Sequence, residues 1–103
     1  MSYTKKVGAS ISLTTAEGWT ENYRDANPGA VKAHFIGSDI INDIFDQEGC
    51  VGFRAYYGIN DDDEKELIFV GVDSSGNDMT SGIIADKAWP CPSNCPVSSP
   101  LAE

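Results

Sequence analysis

Basic side chains are scarce in this 103-residue chain. Lys and Arg together number 7 against 16 Asp and Glu, a formal net charge of −9. A phosphate backbone or an anionic membrane is held by a Lys/Arg surface, so this balance argues against nucleic acid and against membrane binding. Long apolar runs are missing as well, and nothing approaches the roughly 18 residues of a membrane span. The stretch Met1 to Ser10 carries Lys5 and Lys6, but Ile11, Leu13 and Ala16 behind them are scattered among Ser, Thr and Glu. That is not the pattern of a secretory signal, and the expected compartment is the cytoplasm, where thiols stay reduced. Histidine occurs once, as His34. The three cysteines are an odd number, which leaves at least one thiol outside any intramolecular disulfide. There is no internal repeat.

What is present is a foldable chain. Hydrophobic residues make up 41% and aromatics 10%, too much for a disordered acidic tail. A chain of this length buries roughly 65% of its unfolded surface, enough for one core. Little room remains for a deep active-site cavity, which usually forms between domains or layers.

The patterning predicts a helix over about residues 15–26. Thr14 and Glu17 fit a capping box, and Ala16, Trp19, Tyr23 and Ala26 recur at helical spacing as a core face. Asn27-Pro28-Gly29 ends it. Val31 to Ile36 reads as a strand, with Val31, Ala33 and Phe35 inward and Lys32 and His34 outward. Ser38 is the expected cap of a second helix over about 39–47, with Ile40, Ile41, Ile44 and Phe45 on one stripe. Cys50 to Ile59 alternates as a strand. Val51, Phe53, Ala55 and Tyr57 share one face; Gly52, Arg54, Tyr56 and Gly58 share the other. After the acidic turn 60–64, Glu66 to Val72 is the most apolar run, and the two strands make an antiparallel hairpin. A second turn, 73–78, leads toward a short returning strand near Met79 and Thr80. The aromatics are expected mostly in the core. The tail holds four of the five prolines and reads as a stiff, extended appendage rather than as a ladder strand over its length.

The expected organisation is therefore an N-terminal arm over 1–13, a single α+β domain over 14–89 and a Pro/Cys-rich tail over 90–103. The domain is a two-layer sandwich, two helices on one face of a three- to four-stranded, largely antiparallel sheet. The segments Trp19-Thr20-Glu21-Asn22-Tyr23-Arg24, Asn27-Pro28-Gly29, Tyr56-Tyr57-Gly58, Val70-Gly71-Val72-Asp73 and Pro90-Cys91-Pro92 resemble those of a group of small acidic bacterial proteins of uncharacterised activity. The resemblance spans about residues 13–96. Its motifs are packing and turn motifs, so it implies no activity, cofactor or site residue.

Chemistry has few places to sit. Asp61 to Glu64 puts four carboxylates in a row, but without the spacing of a Ca²⁺ loop, and a wet hairpin tip explains them. In Asp73 to Asp78 the glycine falls too early for a Ca²⁺ loop, and Asp73 and Asn77 are expected to bond the turn's backbone. Cys91 and Cys95 are spaced C-x₃-C rather than C-x₂-C. Three states stand open for Cys50, Cys91 and Cys95: free thiols with Cys50 a small buried hydrophobe, a disulfide, or a zinc or iron site completed by His34. Prolines at 90, 92 and 96 stiffen the loop and favour a cross-linked state. His34 as a general base, alone or with Cys50, lacks any supporting signature nearby.

If helices cover only one sheet face, Lys32, His34, Arg54 and Tyr56 are left on the open one. Arg and Tyr are favoured at interface hot spots. The expectation is a non-enzymatic protein-binding or assembly module that uses this face or the tail, for a protein partner or self-association. The alternative is a small metal- or redox-linked protein using the cysteines and His34. No cofactor is expected beyond that zinc alternative.

Overall fold

A computed structural model describes residues 2–103. The order is α1 (Leu13–Ala26), β1 (Ala33–Phe35), α2 (Ser38–Phe45), β2 (Cys50–Ile59), β3 (Lys65–Asp73), β4 (Ile84–Ala85) and β5 (Trp89–Cys91). The class is α+β with antiparallel pairing, and the strands form two sheets, β1-β5 and β2-β3-β4. The chain divides into two compact units. The first holds residues 2–7 and 36–88, the second 8–35 and 89–103. Of the expected arm, residues 2–7 group with the hairpin and 8–13 group with α1 and β1, as does the tail. Among the described residues no helix is long and apolar enough to cross a membrane.

In the first unit the apolar stripe of α2 packs on the hairpin. Ile44, Cys50, Phe69 and Ala85 are buried together, with Ile36, Ile40, Ile41, Leu67, Met79 and Ile83 against them. Gly37 is the cap of α2, and Ser38 is already helical. Asp39 lies in the first turn as expected, favourable at the positive end of the dipole. The two hairpin turns share one design. Asn60 Oδ1 accepts from the N–H of Asp62 (2.9 Å) and of Glu64 (3.0 Å). Asp73 Oδ1 accepts from Ser75 and Asn77 in the same way, both at 3.0 Å. The fourth residue of each turn is left-handed, Asp63 at φ 64° and Gly76 at φ 84°. The returning strand is split. Met79 N–H donates to Gly71 C=O at 2.8 Å, and Ile84 and Ala85 pair with Val70 and Phe69.

In the second unit the cap of α1 is Ser12, whose Oγ accepts from Thr15 N–H at 3.1 Å. Hydroxyls at 12, 14 and 15 all offer caps, and the earliest lengthens the helix beyond the expected start. No residue of α1 is buried. Its half-buried stripe runs through Ala16, Thr20 and Arg24, while Trp19 is 63% exposed and Tyr23 is exposed too. The expected apolar stripe is thus not the covered one. Tyr23 instead uses its hydroxyl, donating to Val31 C=O at 3.2 Å. Arg24 and Lys32 hold the chain's end through the carbonyls of Leu101 and Ala102, each at 2.6 Å.

Strand β5 puts the first two residues of the tail in a ladder, where the composition pointed to an extended appendage. Ala33, His34 and Phe35 pair with Cys91, Pro90 and Trp89. Proline is tolerated because a two-stranded ribbon has an open edge on each strand. Phe35 and Trp89 tilt together with ring centroids 6.1 Å apart, both exposed. Of the aromatics expected mostly in the core, Phe69 alone is buried.

Candidate binding surface on the hairpin unit

Strand β2 pairs on one side only, because the order β2-β3-β4 leaves it at the edge. Its register with β3 runs unbroken from Gly52↔Val72 to Ile59↔Lys65, after a shift at Cys50. Phe53 stacks between Phe45 of α2 (centroids 5.7 Å) and Phe69 of β3 (5.2 Å). Beyond the reach of α2 the same face carries Tyr57, 93% exposed, and Ile59, 71% exposed.

The opposite face of β2 carries a polar network. Arg54 Nη1 bonds Asp78 Oδ1 as an ion pair and also donates to Gly76 C=O at 3.3 Å. The Tyr56 hydroxyl donates to the other oxygen, Asp78 Oδ2. The Tyr56 hydrogen bond, then Arg54, holds the Asp78 carboxyl below its usual range. The same bond to Asp78 raises the Tyr56 hydroxyl, and Asp78 raises Arg54. A carboxylate between two donors is favoured charged, and each donor beside it is favoured protonated.

An open cavity of about 740 Å³ lies between the N-terminal arm and the start of β2. Tyr3, Thr4, Lys5 and Val7 wall it on the arm side, Phe45 and Asp46 at the end of α2, and Val51, Phe53 and Arg54 on β2. The arm is seated by Tyr3, whose ring lies where a Cβ on Gly76 would project. Among the described residues the Lys5 ammonium makes no hydrogen bond or ion pair.

The residues expected on one open face separate into two pairs. Arg54 and Tyr56 do share a face, as the alternation predicts, and converge on Asp78, which the sequence reading placed only as a turn residue. The isolated bridge Val72↔Asp78 brings it there. Lys32 and His34 lie in the other unit. Lys32 reaches the tail, and His34 is half-buried and partnered, whereas Ala33 and Phe35 are exposed, the reverse of the expected facing.

The cysteines also divide. Cys91 and Cys95 form a disulfide with Cα atoms 4.7 Å apart, and Cys91 is 2% exposed. Cys50 is a free, buried thiol in the hairpin unit, its Sγ within 3.1 Å of Gly52 C=O. The disulfide removes two sulfurs from the zinc set of Cys50, Cys91, Cys95 and His34. Among the described residues no group of three or more His, Cys, Asp or Glu side chains is placed to hold a metal. Compared with protein-family models, with curated proteins and with solved structures, the chain finds no match.

Proposed function

We propose that this chain is a small, non-enzymatic protein-binding or assembly module of the cytoplasm that acts through the β2 side of its hairpin unit. The observation that carries the reading is a ten-residue edge strand with Tyr57 and Ile59 exposed along it. A long apolar edge is a template for another strand unless Lys, Pro or a covering element blunts it. Strand addition uses main-chain hydrogen bonds for affinity and alternate side chains for selectivity. Arg54, Tyr56 and Asp78 hold the opposite face in place, which lowers the ordering cost of binding. The test compares the wild-type chain with the Tyr57→Ser/Ile59→Ser variant, immobilised and in solution. A protein retained from cell extract, or self-association, is expected for wild type and lost in the variant. A monomer that retains nothing overturns the reading.

A second reading follows from the Cys91–Cys95 disulfide: a redox-linked protein. In a reducing compartment a disulfide is transient or catalytic. A zinc site at Cys50, Cys91, Cys95 and His34 requires that bond to be reduced first. Thiol titration in denaturant without reductant, together with elemental analysis, separates these states. One thiol and no metal matches the disulfide; three thiols with bound zinc matches the metal site.

A further inference from the structure

We infer that the partner of β2 is a second copy of this chain, added antiparallel along the same edge. The inference rests on the strand-binding reading above and names its occupant.

The edge has a defined set of free groups. Asn60 N–H donates to Glu64 C=O at 2.9 Å, and the ladder alternates from there. Arg54, Tyr56 and Gly58 therefore bond toward β3. Phe53, Ala55, Tyr57 and Ile59 point their N–H and C=O away from it. Between Cys50 and Ile59 there is no Pro and no Lys, and the single charge, Arg54, is tied to Asp78. The one irregularity, the register shift at Cys50/Gly52, lies at the start of the strand, and from Phe53 to Ile59 the edge carries no bulge, proline or lysine against strand addition.

Charge selects the direction. The turn Asp61 to Glu64 lies at one end of β2. Lys5, followed in sequence by Lys6, lies at the other, where it lines one cavity with Val51, Arg54 and the single carboxylate Asp46. Parallel addition of a second copy sets acidic turn against acidic turn, in a chain that already carries −9. Antiparallel addition sets each acidic turn beside the other copy's lysines. Like charges placed together are penalised and opposite charges fix register.

Side chains select the register. Pairing Ala55 with Tyr57 of the second copy, and Phe53 with Ile59, uses only the outward-pointing groups. It covers the exposed Tyr57 and Ile59 with apolar neighbours. Tyr56 then faces its own counterpart across the two-fold axis, at a position where side chains approach most closely. The product is one six-stranded sheet with a self-complementary interface, the commonest kind in homo-oligomers.

Sedimentation and amide exchange of the full chain test this. The wild type is expected at twice the mass of one chain, with slow exchange at Ala55, Tyr57 and Ile59. Ala55→Pro removes an outward N–H and leaves the β3 ladder intact, and Ile59→Lys puts a charge on the edge. Each is expected to weaken the dimer by about tenfold or more, as for the loss of roughly one hydrogen bond. If the proline variant is unfolded by circular dichroism, Ile59→Lys decides alone. A dimerisation constant left unchanged in a folded Ile59→Lys variant overturns the inference. A third arm titrates the chain with a ten-residue peptide of alternating valine and lysine. If the wild type is monomeric and the peptide shifts the 53–59 amides, the second-copy inference fails and strand binding stands. If it is monomeric and the peptide has no effect, both fail.

Discussion

At the scale of single residues, Gln47 sits where the end of α2 meets the returning segment. Its Nε2 donates to Ile44 C=O and its Oε1 accepts from Ile83 N–H, both at 2.9 Å. Gly71 and Gly82 leave the space it occupies: a Cβ on Gly71 would stand 2.8 Å from its Nε2, and one on Gly82 would meet its Oε1. Gln47→Leu keeps the bulk and leaves the Ile83 N–H without its acceptor, while Ile44 C=O keeps the N–H of residue 47, so it should cost about 1–3 kcal/mol in urea unfolding. Gly82→Ala should destabilise by displacing the same side chain. The Asp78 network gives a dependence on pH of known sign. Because the Asp78 carboxyl titrates below its unfolded value, its stabilisation is in place above that value and lost as pH falls through the lowered one. Tyr56 behaves oppositely: its stabilisation is in place below the ordinary tyrosine range and lost as pH rises through the raised value. Asp78→Asn should flatten both limbs of the urea midpoint against pH, and Tyr56→Phe should remove the alkaline limb and reduce the acid one to the part that Arg54 supplies. The network is largely solvated, so both effects should be modest.

At the scale of elements, the hairpin is the part most legible in the chain. Alternation through Val51, Phe53, Ala55 and Tyr57 is local, and it places Cys50–Ile59 without knowledge of anything else. The turn residues Asn60 and Asp73 announce themselves by the same logic, since short polar side chains satisfy their own turn's N–H groups. What local reasoning misses is pairing over long distance. Trp89-Pro90-Cys91 looks unfit for a ladder, and only the partner Ala33–Phe35 makes it a strand. Helix α1 misleads differently: Trp19 and Tyr23 have core-like spacing, yet the covered stripe is Ala16, Thr20 and Arg24. The spacing is local, but which stripe is covered depends on packing outside the helix. For the candidate site, alternation puts Arg54 and Tyr56 on one face, and the missing member, Asp78, arrives through the register of a different turn. The disulfide is a short-loop staple of the second unit. Replacing Cys91 and Cys95 by serine should cost about 2 kcal/mol on loop-closure grounds. Amide exchange should show that loss in the β1-β5 sheet, with the core of the hairpin unaffected.

At the scale of the whole molecule, the charge of −9 is unevenly held. Its densest groups, Asp61 to Glu64 and the Asp39, Asp43 and Asp46 series, all fall within residues 36–88, and so does the proposed binding edge. An acidic chain with an exposed apolar edge is kept from indiscriminate association by self-repulsion, which is relieved where the geometry lets opposite charges meet. The order of the units along the chain has its own consequence. Residues 36–88 are inserted within the second unit, whose two segments, 8–35 and 89–103, are distant in sequence. The β1-β5 ribbon must therefore close a long loop, a costly step for a flexible chain. Hairpin contacts are local by comparison and form early in such a topology. Folding of the insert draws in that loop, so the search that β1 and β5 face is shortened by a structure already made. Pulse-labelled exchange during refolding should protect β2 and β3 before β1, and a chain whose hairpin is weakened by Gln47→Leu should form its second unit more slowly although nothing in that unit has changed.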